Sequence, residues 1–320
     1  MGKEFIHRSN QKKIVLSNLW ENYSTIVIML AIAIIFNSIS RGFVSLGNLE
    51  KIVLQNLPLM LIVLGTVFVM IVGGIDLSIG YQISLVSAVL SYLSIQQRSG
   101  WIAIAGALGA GLLCGLLNGV LVGYLKIVPF AATIATQIMF RGISYLISKG
   151  SMTSNIPEGV RILAKSYLGE IQNSVWVVLL GILVFQIVMK YSYIGKYFRA
   201  VGLDEKIATA AGVPTRFMRC LAYGIASIFY ALAGLCMVSV RGYSGSEIGV
   251  GMEIQGIAAA YIGGVLGKAE QPSVLSLILG VLTIGMIANG LPKIGISEYV
   301  QYVFTGVILV ISMIIHNKRK

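Results

Sequence analysis

An all-α fold, polytopic in a membrane, is what this sequence predicts: about ten transmembrane helices, some short or broken, with both termini cytoplasmic. Three observations predict it. The 320 residues are 57% hydrophobic and 11% charged, with a mean hydropathy of +0.87, whereas soluble domains carry about 25% charged residues. No soluble core of this size hides so much apolar surface. The apolar runs reach the ~20 residues that cross a ~30 Å hydrocarbon layer, and they lack the short alternating segments of a β-barrel. The basic residues sit at the ends of these runs, so topology rather than nucleic acid accounts for the net charge of +12.

The spans lie near 24–40, 52–72, 79–96, 101–124, 129–148, 174–191, 215–239, 252–266, 273–291 and 298–316. With the N-terminus inside and sides alternating, Lys3, Arg8, Lys12, Lys13, Lys126 and Lys268 fall inside. So do the segment Lys190 to Arg219 and the tail Lys318-Arg319-Lys320. Fewer fall outside, which orients the chain. It divides into a cytoplasmic tail, 1–23, a transmembrane domain, 24–316, with a long internal loop, 190–219, and a cytoplasmic tail, 317–320. The first tail lacks a cleavage site and reads as retained rather than as a signal peptide. Cys114, Cys220 and Cys236 lie in or beside apolar runs without paired spacing, so neither disulfide nor metal is implied.

The second and third spans are separated by Gly73-Gly74-Ile75-Asp76-Leu77-Ser78-Ile79-Gly80. A carboxylate at membrane depth is expensive, and broken helices there are tolerated where protein or a wet cavity surrounds them. Asp76 caps the helix that follows, takes part in the transport path or gating, or does both. The third span aligns Ser84, Ser87, Ser91 and Ser94 on one face, for hydrogen bonds to a neighbouring helix or for lining a pore.

In the fourth span Ala103, Ala107, Gly111, Gly115, Gly119 and Gly123 recur every four residues, a ridge that lets another backbone approach, within the bundle or across a dimer seam. Asn118 lies beside it. The fifth span starts at Pro129, suited to a first turn. Its face of Thr133, Gln137, Arg141 and Ser144 or Tyr145 is either a structural anchor, with Arg141 snorkelling outward, or a wall facing a polar substrate, since Gln, Thr and Ser both give and accept hydrogen bonds. Ser87, Ser91, Asn118 and Asn289 join Thr133, Gln137 and Arg141 as candidate pathway residues.

The polar stretch Gly150 to Asn173 is the largest external loop and a natural contact for a soluble partner, with 41–51 and 241–251 beside it. Glu247 and Glu253 bracket the start of the short eighth span, where carboxylates favour a helix N-terminus. In the internal loop, Asp204 to Gly212 reads as a short helix, with Asp204 as N-cap, Gly212 as stop and Pro214 after it. Asn118-Gly119 and Asn289-Gly290 close the fourth and ninth spans, as equivalents in a five-plus-five inverted repeat would. There is no Walker A pattern, metal cluster or Gly-x-Ser-x-Gly.

Gly-Gly-Ile-Asp-Leu-Ser-Ile-Gly at 73–80, Asn118-Gly119, Val128-Pro129-Phe130-Ala131-Ala132-Thr133, Arg141-Gly142, Gly263-Gly264 and Asn289-Gly290-Leu291 together, in this order, resemble the ribose/galactose/xylose-type permeases of bacterial ABC monosaccharide importers. The resemblance runs from about residue 50 to the C-terminus. It implies a multi-pass protein of the bacterial cytoplasmic membrane that moves a pentose or hexose by ATP-driven alternating access. Gly73, Gly74, Asp76, Ser78 and Gly80 would be its structural signature. Gly202, Asp204, Glu205, Ala208, Ala211 and Gly212 would dock the ATP-binding subunits. The implied partners are those subunits, an extracytoplasmic sugar-binding protein, and a second copy or a paralogue. ATP and magnesium would sit on the ATP-binding subunits, leaving this chain without a cofactor and without enzyme activity. The sequence departs from the family at Asp204, Lys206 and Ile207, and at the turn Val265 to Pro272. The rival expectation is a stand-alone, ion-coupled secondary transporter or channel, with Asp76 and Arg141 as its coupling groups.

Overall fold

The computed structural model describes residues 26–264 and 273–297, with 300, 301, 303–307 and 310. The two tails, the divergent turn at 265–272 and much of the last expected span lie outside these residues.

The described residues are almost wholly helical. In chain order they form α1 (Ile26–Ile39), α2 (Leu46–Gln55), α3 (Leu57–Ile71), α4 (Ile79–Ile95), α5 (Gly100–Gly123), α6 (Pro129–Ser148) and α7 (Glu158–Lys165). A two-stranded hairpin, β1 (Tyr167–Leu168) with β2 (Ile171–Gln172), precedes α8 (Asn173–Gln186), which runs on into a π turn at Ile187–Tyr191. Then come α9 (Tyr193–Leu203), α10 (Glu205–Ala210), α11 (Thr215–Arg241), α12 (Met252–Ile262) and α13 (Val274–Lys293). Five of these runs, α5, α6, α8 with its π turn, α11 and α13, are long and apolar enough to cross a membrane. The bent pair α2–α3 makes a sixth, while α1 and α4 are shorter apolar helices.

The second expected span is therefore two helices, meeting at 47°. Pro58 sits at the start of α3, where its missing N–H leaves the α2 ladder unextended. Asn56 at the joint donates its side-chain amide to Ile52 O at 2.7 Å. The external loop expected at 150–173 also carries structure, in α7 and the hairpin. Thr153 and Ser244 form an isolated antiparallel bridge, which joins this stretch to the 241–251 loop.

α3 and α11 are central. From Leu57 to Val69 α3 is buried on every side, as a helix without a polar face must be. Phe68 on α3 meets Phe185 of α8, Phe198 of α9 and Phe229 of α11, with ring centroids 5.1, 6.1 and 5.7 Å away. The small-residue ridge of α5 packs inside the bundle, against α11. A Cβ on Gly111 would lie 2.7 Å from Ala231 Cβ, and one on Gly119 would lie 2.7 Å from Cys220 O. The ridge is what lets these two long helices touch backbone to backbone.

The 190–219 segment folds as expected from its caps. Asp204 Oδ1 accepts the backbone N–H groups of Lys206 and Ile207 at 2.7 and 3.0 Å, satisfying two donors at the start of α10. Gly212 takes φ +81°, the left-handed stop of a helix C-terminus. Glu205 of α10 is paired with Arg219 of α11 at 3.0 Å. At the end of α9, Gly202 lies so close to Ile71 O that a Cβ there would collide with it. The segment thus grips α3 at the residue where that helix ends.

Candidate functional site

α3 stops at Ile71 because Gly73 turns left-handed, at φ +77°, a conformation residues with a Cβ resist. The chain then crosses Ile75 to Ser78 before α4 begins. Asp76 in this break is 2% exposed, and both its oxygens face donors. Oδ1 accepts Ser78 N–H at 2.8 Å and the Ser78 hydroxyl at 2.6 Å. Oδ2 accepts Gln82 Nε2 at 2.9 Å. Asp76 therefore holds the residue that caps α4, rather than the N–H groups of its first turn.

The carboxylate orders everything around it. Because the Ser78 proton goes to Asp76, Ser78 Oγ has two lone pairs left, and they take Gln82 Nε2 and Asn118 Nδ2, each at 2.8 Å. With its amide nitrogen committed, Asn118 presents Oδ1 to the Thr136 hydroxyl at 2.6 Å. Asp76, Ser78, Gln82, Asn118 and Thr136 form one directed chain across the break, α4, α5 and α6. A second tie runs beside it. Ile75 O, left free by the break, accepts from Tyr223 OH of α11 at 3.2 Å and from Thr133 of α6 at 3.4 Å. Hydrogen bonds of this kind strengthen where water is excluded.

Gly74 and Gly80 serve close approach. A Cβ on Gly74 would lie 2.7 Å from Tyr223 OH, and one on Gly80 would meet Gly249 O at 2.6 Å and collide with the Glu253 carboxylate. The break of α3–α4 and the loop before α12 therefore cross at Gly80 and Gly249. The serine face of α4 fixes this crossing. Ser84 Oγ accepts Gly249 N–H at 3.1 Å, and Ser87 Oγ accepts Gly245 N–H at 3.0 Å. Glu253 lies in the first turn of α12, and its Oε2 is buried without a hydrogen-bond partner.

The residues singled out from sequence fall into groups. Asp76, Ser78, Asn118 and Thr133 come together in or beside the knot. Ser87 spends its hydroxyl on the crossing loop, and Ser91 is buried. Asn289 sits apart on α13, half-buried, with Oδ1 buried and unpartnered. Gln137 is half-buried and Arg141 exposed, one turn apart on α6. Arg141 stacks over Tyr81 and Tyr145, its guanidinium carbon 5.7 and 6.0 Å from their centroids, and Tyr145 OH donates to Glu247. On α10, Ala208 is buried against the chain's own fold at 3% exposure, while Ile207 stands out at 70%; a partner meeting α10 meets Ile207. Sequence reading missed Gln82, Thr136 and Tyr223. The first two are detectable as polar residues at helical spacing from Ser78 and Thr133, whereas Tyr223 is remote in sequence and carries no such signal.

The family model described as branched-chain amino acid transport system / permease component matches residues 48–313. Ribose import permease protein RbsC of Escherichia coli K12 is 25% identical over 306 residues, covering 94% of this chain and 95% of that one. Galactofuranose transporter permease protein YtfT of the same organism is 30% identical over 264 residues, covering 82% and 77%. D-allose transport system permease protein AlsC, also of Escherichia coli K12, is 28% identical over 306 residues, covering 94% and 93%. Among solved structures, PsaBC from Streptococcus pneumoniae in complex with Fab aligns at a TM-score of 0.49 and 19% identity, covering 87% of this chain and 95% of that one.

Proposed function

The chain belongs to the family described as branched-chain amino acid transport system / permease component, and on that premise we propose that it is the transmembrane subunit of an ABC importer for a monosaccharide. One observation carries the reading. Relatives that align over nearly the whole chain are a ribose import permease and a D-allose transport system permease, and a third is a galactofuranose transporter permease. In this reading the chain spans the cytoplasmic membrane about ten times with both termini inside. Two copies, or one copy and a paralogue, enclose the path. A soluble binding protein delivers the sugar outside. ATP is hydrolysed on separate subunits, which dock on the α9–α10 segment.

The mechanism follows from where that segment attaches. It touches α3 at Ile71 through Gly202 and α11 through the Glu205–Arg219 pair. α11 in turn holds Ile75 O through Tyr223. A displacement of α10 driven by ATP would therefore reach the break on both of its sides. The knot around Asp76 would make α4, α5 and α6 move with the break as one body.

The test is uptake by cells that express the chain with the ATP-binding and binding-protein genes beside its own. Radiolabelled D-ribose, D-allose, D-galactose and L-leucine are supplied in turn. ATP-dependent uptake of a sugar supports the reading. Uptake of L-leucine alone would move the substrate to the amino acids, and uptake without the ATP-binding subunits would favour a stand-alone transporter.

A further inference from the structure

Arg141 lies about 18 Å along α6 from Pro129, within a helix apolar enough to span. The same helix also exposes Ile138, Met139, Ile143 and Leu146. A guanidinium there is costly against lipid. The described ion pairs are Arg161–Glu158 and Arg219–Glu205, so no described carboxylate lies within ion-pair distance of it. What holds it is aromatic. Tyr81, 9% exposed and packed beside Phe140, lies under the guanidinium, and Tyr145 flanks it, both within the ~6 Å reach of a cation–π contact. Neither ring consumes the N–H donors, which extend from a fixed planar fork. Glu247 is exposed and is fixed beside this group by Tyr145 OH. Gln137, one helical turn away on α6, adds an amide that both gives and accepts.

Most other polar groups near the break are spent, the exceptions being Gln82 Oε1 and Glu253 Oε2, which are buried without a partner. Asp76, Ser78, Asn118 and Thr136 satisfy one another, and Ser84 and Ser87 hold backbone. Arg141, Glu247 and Gln137 keep exposed or half-buried polar surface, as does Glu253 beside Gly80.

We infer that Arg141, Glu247 and Gln137, braced by Tyr81 and Tyr145, form a subsite for a neutral, polyhydroxylated ligand. Fixed donors and a fixed acceptor side by side match vicinal hydroxyls, each of which gives and accepts. The single cation and single anion leave no net charge, which selects against an anionic ligand. This inference rests on the sugar-import reading and deepens it by naming where the chain meets the sugar.

The test uses the whole transporter, expressed with its ATP-binding subunits and binding protein. Uptake of D-ribose, D-allose, D-galactose and L-leucine is normalised to permease present in the membrane. Arg141→Gln and Tyr145→Phe should lower the rate at saturating sugar about tenfold or more, the loss of a charge-assisted hydrogen bond. The half-saturating concentration, set by the soluble receptor, should stay. The Arg141→Cys thiol should react with a membrane-impermeant methanethiosulfonate, more slowly when the transported sugar is present. If the wild type imports a sugar and Arg141→Gln imports it equally per copy, the subsite is overturned and the sugar-import reading stands. An unreactive thiol in an assembled complex overturns the subsite in the same way. Import of L-leucine and of no sugar would overturn both.

Discussion

Asn118 of α5 donates to Ser78 Oγ at 2.8 Å, across forty residues of sequence. It carries the hydrogen-bond order set by Asp76 from the helix break to Thr136 of α6.

Asn118→Leu removes both ends of this link. Ser78 loses one donor and Thr136 keeps only Thr133 O, at 3.2 Å, as acceptor, all in a place where residue 118 is 0% exposed. Unmet buried polar groups cost about 1–3 kcal/mol each. The thermal midpoint of the purified protein in detergent should fall by several degrees. Asn118→Asp should fall at least as far, since it still accepts from Thr136 but turns an acceptor toward Ser78 Oγ and buries a second carboxyl beside Asp76.

The α5 ridge supplies its own control. Gly119→Ala pushes a Cβ to within 2.7 Å of Cys220 O, while Gly109→Ala on the same helix meets nothing within 4 Å. Overpacking costs about 1–3 kcal/mol, whereas Ala in place of an unhindered helical Gly gains up to about 1 kcal/mol. Thermal unfolding of the two variants should move in opposite directions.

On α10 the two neighbours Ile207 and Ala208 separate docking from folding. Ile207→Glu changes an exposed side chain; the permease should insert and unfold normally while co-purification of the ATP-binding subunits falls. Ala208→Glu buries a charge with no partner, and should lower the amount of folded permease itself. Normal co-purification with Ile207→Glu would separate this helix from ATPase docking.

Orientation is tested by single cysteines. With both termini inside, a thiol at Lys165 should react with an impermeant reagent in intact cells, and one at Arg199 only after lysis. The reverse pattern would invert the topology.

Much of this molecule is written in local pattern. The caps at Asp204 and Gly212 delimit α10, Pro129 starts α6, and the four-residue ridge marks α5 as a packing helix. Glycines around a lone carboxylate mark the break. What sequence hides is direction and distance. The ridge does not say whether it meets α11 or another subunit. Ala208 and Ile207 are adjacent, and only the packing of α10 on α9 and α11 decides which faces out. The serine face of α4 reads equally as pore or as packing until Gly245 and Gly249 arrive from more than 150 residues away. Pro58 marks the joint after Asn56 locally, but the 47° bend it makes shows only in the packing.

The central claim is that Asp76 organises the membrane domain, and substitution at that position tests it most directly. Asp76→Leu strands the Ser78 N–H, the Ser78 hydroxyl and one of the two Gln82 Nε2 protons, at about 1–3 kcal/mol for each buried donor. Asp76→Asn keeps one acceptor. Membrane abundance, complex assembly and sugar uptake should all collapse for Asp76→Leu and be partly retained for Asp76→Asn. Full abundance, assembly and uptake with Asp76→Leu would contradict the account.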